Sequence, residues 1–352
     1  MASGQRIAEL DVLRVTGMIS VLLGHLPAYF PHDPFLGWIY YAFTSLGVAL
    51  FVFVSGFVLA QGYAGRKDFH FLRFLGKRLA RLYILYIPAL ILFIVEFYYL
   101  EIYHTVNLTP FVPSLLAHLF AGQVLLFPWV RQLFTLWYVG LIVFLYLFFG
   151  FLALCKNTYQ AIAVIALTSA ILLFCRLVLG IIDIRLFLYY PVFLFGVFLG
   201  RRKVSLSSGI GHYVGLSALV LGGASYGLFR ATGLAVVRGT CNNQPLGCVP
   251  SLALVEVYVL SGLVFLLWLS SRGAKRMSKE VSRIVFRMAV ASYAVYLFHR
   301  PVLAAVWWLG ESVIELGQVG KIIAFPIVVV GLFVAGYYIQ QGANRILGKP
   351  GN

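Results

Sequence analysis

Charge is what this sequence has least of. Only 11% of its 352 residues are Asp, Glu, Lys or Arg, while 62% are hydrophobic. Soluble domains run nearer a quarter charged. A water-soluble fold could not clothe its surface from so small a supply, so lipid must be the solvent. Acidic residues are scarcest, 11 against 27 Lys and Arg, which leaves a net charge of +16. In a soluble chain that excess would suggest nucleic acid. In one this apolar it marks cytoplasmic loops, and no nucleic-acid partner is expected. Cysteine is also sparse. The four present have no metal-ligand spacing, so no metal site is expected. Cys155 and Cys175 sit in apolar segments, whereas Cys241 and Cys248 flank the turn-rich stretch Asn242-Asn243-Gln244-Pro245-Leu246-Gly247. That spacing reads as a loop disulfide on an oxidising side of the membrane. No small-residue cleavage site follows the first apolar segment, which holds Glu9, Asp11 and Arg14, so it reads as a retained span. Low-complexity tracts, fixed-period repeats and the internal duplication of many transporters are missing too. The expectation is one membrane domain over 1–352 with no appended soluble domain.

What is present is a series of apolar runs. A helix needs about 20 apolar residues to cross the hydrocarbon. That rule predicts an all-α polytopic membrane protein with ten transmembrane helices, near 10–30, 39–61, 82–100, 133–154, 159–180, 186–200, 212–230, 251–270, 286–308 and 321–341. The run at 111–130 is weaker, with Pro113, Pro128 and Trp129, and reads as interfacial or re-entrant. The basic residues test this count. With the N-terminus inside, 19 of the 27 Lys and Arg fall in cytoplasmic segments and five outside. Both termini are therefore expected to be cytoplasmic.

Charged groups within spans are costly and mark function by default. The first span carries Asp11, Arg14 and, eleven positions on, His25. Eleven residues make three turns plus about 20°, so Arg14 and His25 share a face about 16 Å apart along the axis. Asp11 is placed to pair with Arg14. The same residues also fit a plain anchor pair and an interhelical histidine bond. Asp183 with Arg185, and Glu256, lie near outer span ends and read as surface pairs.

Leu10-Asp11-Val12-Leu13-Arg14 followed by His25 resembles the opening motif of the acyltransferase 3 family of membrane O-acyltransferases. Four further stretches follow in that family's order. They are Gly47-Val48-Ala49-Leu50-Phe51-Val52-Phe53-Val54-Ser55-Gly56-Phe57, Lys77-Arg78-Leu79-Ala80-Arg81, Leu136-Trp137-Tyr138-Val139, and Ser292-Tyr293-Ala294-Val295-Tyr296-Leu297-Phe298-His299-Arg300-Pro301. The third of the five resembles the family's Arg-x-x-Arg stretch, and the fourth its sugar-acetylating branch. Ala49 and Arg300 depart from the residues frequent in the family, as do Gln340 and Gln341.

The resemblance implies transfer of an acyl group, acetyl in this branch, from cytoplasmic acyl-CoA to a hydroxyl of a carbohydrate or glycolipid. It implies an integral multi-pass protein of a bacterial cytoplasmic (inner) membrane. Acyl-CoA, as acetyl-CoA, is a donor substrate, and no tightly bound cofactor is expected. An imidazole suits proton transfer at neutral pH, so His25 is the expected general base, with a transient acyl-histidine as the alternative. Arg78 and Arg81 lie at i, i+3, with Lys77 beside them, and are the expected partners of the coenzyme phosphates. Arg14 lies between those phosphates and His25. His299 is expected at a depth similar to His25, either orienting the acceptor or bonding a neighbouring helix. Ser55 is a candidate donor to the thioester oxygen, and Trp137 and Tyr138 are candidate sugar contacts. A transporter or channel built on Arg14 and His25 is the rival from another class.

Overall fold

A computed structural model describes residues 7–26, 34–63, 68–98, 111–202, 211–231, 248–312 and 317–348. Among them are eleven α-helices: α1 (Ala8–Gly24), α2 (Pro34–Tyr63), α3 (Phe71–Tyr98), α4 (Phe111–Leu119), α5 (Trp137–Leu154), α6 (Thr158–Leu177), α7 (Ile184–Arg201), α8 (His212–Ala231), α9 (Val249–Arg276), α10 (Lys279–Ser312) and α11 (Gln318–Ile346). Nine of these are long and apolar enough to cross a membrane, and they match nine of the ten expected segments. The remaining segment is α1, whose 17 described residues rise about 26 Å. The chain is an all-α, multi-pass membrane protein.

Lipid-facing surfaces account for the composition. Ile162, Leu167 and Phe174 on α6, Val220 on α8, and Ile327 and Val330 on α11 are each more than half exposed. Such faces need hydrocarbon around them, since no polar side chains screen them. The interior is built from α1, α2, α5, α7 and α10. Glycines let α1, α2 and α7 approach closely. A Cβ on Gly56 of α2 would lie 2.5 Å from the Phe193 carbonyl of α7, and one on Gly47 would lie 2.7 Å from the Gly17 carbonyl of α1.

Two boundaries differ from the sequence reading. The Arg-rich stretch at 71–81 opens α3 itself, and Lys279, Arg283 and Arg287 open α10. Helical backbone satisfies its own polar groups, so helices run on past the apolar stretch into basic sequence. The run at 111–130, expected to be interfacial or re-entrant, is not among the helices long enough to cross a membrane. After α4 the chain turns back under α3, α5 and α7 as a polar-stitched plug. Tyr83 and Tyr86 of α3 donate to the Leu119 and His118 carbonyls, each at 3.0 Å. Gln132 donates to the Gln123 carbonyl and to Asp183, both at 2.9 Å, and the Asp183 amide donates to the Val124 carbonyl at 2.8 Å.

His118 pins this plug. Its Nε2 accepts from the Leu133 amide at 3.0 Å, so Nδ1 carries the proton and donates to the Ser114 carbonyl at 2.7 Å. Burial pushes its pKa down to about 4, against a smaller opposing pull from the Ser114 bond. Phe134 and Ile182, which border the plug, have φ of 31° and 82°. A left-handed backbone at such residues costs about 1–3 kcal/mol and persists where surrounding structure enforces it.

Cys155 and Cys175 are free thiols, and Cys248 is disulfide-bonded. Cys241, its expected partner, lies outside the described residues.

Candidate active site

Two cavities lie inside the bundle and share one wall. The first, of about 250 Å³, is lined by Arg14 of α1, Ser55 of α2, Arg78 and Arg81 of α3, Tyr138 and Tyr146 of α5, Tyr293 and Tyr296 of α10, and Gln340 and Asn344 of α11. The second, of about 360 Å³, is lined by His25, Thr44, Phe134, Thr135, Trp137, Arg185, Tyr189, Tyr258, Tyr296 and Arg300, among others. Tyr296 belongs to both. Its ring lies 4.8 Å from that of Tyr138 and 6.1 Å from that of Phe51, and its hydroxyl donates to the Thr135 carbonyl at 2.9 Å. An aromatic partition of Phe51, Tyr138 and Tyr296 thus stands between an arginine cavity and a histidine cavity.

The arginine cavity gathers Arg14 with Arg78 and Arg81, which lie 64 and 67 residues further along the sequence. Arg14 Nη1 lies 3.5 Å from Asp11 Oδ1, an ion pair too long for a strong hydrogen bond. Arg78 is held by aromatic faces, with its guanidinium 5.4, 5.7 and 5.8 Å from the rings of Tyr63, Phe74 and Tyr146. Its Nε is buried without a hydrogen-bond partner. Ser55, Tyr138 and Tyr146 line this cavity together. Lys77 is not part of this cavity. It lines a separate pocket of about 220 Å³ with Asp68, His70 and Arg73. One helical residue is a turn of 100°, so Lys77 leaves the face that Arg78 and Arg81 share.

His25 follows the last turn of α1, where its amide donates to the Leu22 carbonyl at 3.1 Å. Its ring centroid is 5.1 Å from that of His299 on α10 and 6.1 Å from that of Tyr40 on α2. The equal depth expected for the two histidines is therefore observed. His299 is fully buried, with Nδ1 2.8 Å from the Tyr296 carbonyl and 3.2 Å from the Val295 carbonyl. Two carbonyls at one nitrogen require Nδ1 to be the donor, so Nε2 keeps a lone pair. That Nε2 is buried without a hydrogen-bond partner.

The Asp183–Arg185 pair is not a surface pair. Asp183 is 2% exposed and Arg185 8%. Asp183 caps α7 by accepting from the Arg185 amide at 2.9 Å, and Arg185 Nε donates back to it at 2.9 Å. Arg185 Nη2 also reaches Asp183 and Gln132. Burial would raise the Asp183 pKa, but the Arg185 charge and these hydrogen bonds outweigh it and hold it below the carboxylate range. The Arg185 guanidinium lies 3.8 Å from the Trp137 ring centroid, and Trp137 stacks on Tyr189 at 5.9 Å. Among the described residues Glu256 is not in a surface pair either, since both its carboxylate oxygens are buried there without hydrogen-bond partners. The plug accounts for the Arg185 difference, because it covers the end of α7 that the sequence leaves open. A signal for it existed in Asp183-Ile184-Arg185, an N-cap residue ahead of an apolar helix.

A family model for the acyltransferase domain, acyltransferase 3, matches residues 7–340. The chain belongs to this family. No curated protein and no solved structure matches it. As an acyltransferase 3 protein it is a membrane acyltransferase, and apart from Asn344 the residues lining both cavities lie within the match. The expected site residues divide between them. Arg14, Ser55, Arg78, Arg81 and Tyr138 line the arginine cavity, while His25 and Trp137 line the histidine cavity. His299 stands against His25. Tyr296, Thr135, Arg185 and Arg300 also line the site, although none of them was expected there from the sequence.

Proposed function

We propose that this acyltransferase moves an acetyl group from cytoplasmic acetyl-CoA to a hydroxyl of a carbohydrate or glycolipid at the inner membrane of a bacterium. The observation that carries this reading is the pair of unlike cavities meeting at Tyr296, one bearing three arginines and the other a histidine among aromatic rings. The reading takes ten spans with both termini cytoplasmic, so the arginine cavity opens toward the donor. Arg78 and Arg81 hold the coenzyme phosphates, and Arg14 guides the pantetheine arm. The axial separation of Arg14 and His25, about 16 Å, is within reach of that extended arm.

His25 takes the proton of the acceptor hydroxyl as its oxygen bonds to the thioester carbonyl carbon. The carbon–sulfur bond then breaks, and the imidazolium returns the proton to the leaving thiolate, giving the ester and free CoA. His299, with its proton fixed on Nδ1, offers the Nε2 lone pair to hold His25 or the acceptor hydroxyl. Trp137 and Tyr189 supply ring faces for a sugar. A transient acyl-His25 gives the same products and remains the alternative route.

The test reconstitutes the protein in liposomes with radiolabelled acetyl-CoA outside and bacterial envelope glycolipids in the bilayer. Base-labile label on the glycolipid and one free thiol per acetyl transferred are expected. Passage of label into the lumen with no ester formed would instead favour transport.

A further inference from the structure

The histidine cavity is lined by two guanidinium groups, one of them already paired with Asp183. Arg185 and Arg300 both line it, and no Asp or Glu is among its described lining residues. Asp183 engages only the Nε and Nη2 side of Arg185. Arg185 Nη1 is buried and makes no hydrogen bond, in a residue more than nine-tenths buried. A buried donor left without an acceptor is destabilising, and an anionic acceptor satisfies it best. Arg300 lines the same cavity, its guanidinium 4.5 Å from the Phe134 ring centroid. Trp137 packs flat against Arg185, and Tyr189 stacks on Trp137, so one wall presents a cation beside ring faces.

We infer that the acceptor is an anionic carbohydrate, whose carboxylate or phosphate binds Arg185 and Arg300 while its sugar ring lies in the aromatic-lined cavity beside them. This inference rests on the proposed acyl transfer to a carbohydrate and names the class of acceptor. The geometry also orients the acceptor. An anion held by Arg185 and Arg300 leaves the rest of the ring in the cavity that His25 also lines. The hydroxyl that is acylated is then set by its distance from the charged group, and neutral sugars of the same shape bind less well because they offer Arg185 Nη1 no anionic acceptor.

The test is equilibrium dialysis of the purified protein against radiolabelled methyl glucuronoside, glucose 1-phosphate and methyl glucoside, with acetyl-CoA binding measured alongside. Removing Arg185 alone would strand a buried Asp183, so the pair is neutralised together in D183N/R185Q. Arg300→Gln leaves the Asp183 pair untouched and serves as the second variant. At least one anionic probe should bind about tenfold or more tightly than methyl glucoside. Each variant should bring that probe down to the neutral level while retaining acetyl-CoA. Preference for the glucuronoside identifies a carboxylate, and preference for glucose 1-phosphate a phosphate. Equal binding of all three probes would overturn the inference. So would failure of both anions to bind a protein that still binds acetyl-CoA, or persistence of the preference in both variants. Anion preference in a protein that transfers no acetyl group would support the anion site and refute the acyl-transfer reading instead.

Discussion

Arg78 allows the donor half of the account to be tested on its own. Its guanidinium is ringed by Tyr63, Phe74 and Tyr146, and its Nε lacks a hydrogen-bond partner. The side chain is thus held in place before any ligand arrives, with donor capacity unspent. A phosphate that fills it gains a charge-assisted contact of about 1.5–3 kcal/mol with little ordering left to do. At about 1.4 kcal/mol per decade, Arg78→Ala should raise the CoA dissociation constant about tenfold to a hundredfold. Arg78→Lys should fall between, since an ammonium keeps the charge but loses the planar fork. Calorimetry with CoA, dephospho-CoA and pantetheine separates phosphate recognition from loss of fold. Pantetheine binding should be the same in Arg78→Ala and wild type. An equal loss for CoA and pantetheine, or unchanged CoA affinity in R78A/R81A, would refute the reasoning.

Other predictions concern the fold. His118 is held neutral, so it stabilises the plug fully above its unfolded pKa of about 6.5, and this contribution is lost as pH falls toward its folded value of about 4. Thermal stability of wild type should therefore drop over that window more steeply than that of His118→Gln, and parallel curves would contradict the assignment. Gly56→Ala places a methyl 2.5 Å from the Phe193 carbonyl and should cost about 1–3 kcal/mol in a denaturation assay. Gly76→Ala meets open space and should be neutral or mildly stabilising, and equal effects at both sites would discount the α2–α7 contact. Single cysteines placed at positions 240 and 275 should react with impermeant reagent from opposite sides, outside and inside respectively. Labelling from one side would break the ten-span orientation.

Much of this was legible in the sequence, for identifiable reasons. Helix faces follow from spacing alone, so Arg78 with Arg81 could be placed together and the depth of His299 matched to that of His25. Apolar length gave nine spans close to their observed limits, because hydrocarbon thickness sets helix length. What escaped was set by tertiary structure. The plug buries Asp183 and Arg185 through Gln132 and Val124, which lie 50 or more residues away in the chain. Tyr296 sits within a quoted motif, yet its place between two cavities depends on Phe51, Tyr138 and Thr135 from three other segments. Lys77 was grouped with Arg78 by adjacency, and adjacency along a helix separates side chains by 100°.

The central claim is that His25 moves the proton in acyl transfer, and the most direct measurement is turnover of His25→Ala beside its acetyl-CoA affinity. The site predicts a variant that folds and binds acetyl-CoA as wild type does, because the arginine cavity does not include His25. Its transfer rate to the glycolipid acceptor in liposomes should fall about a hundredfold to ten-thousandfold. Near-normal transfer by a folded His25→Ala would contradict the account, excluding His25 as base and as acyl carrier and leaving His299 to fill the role.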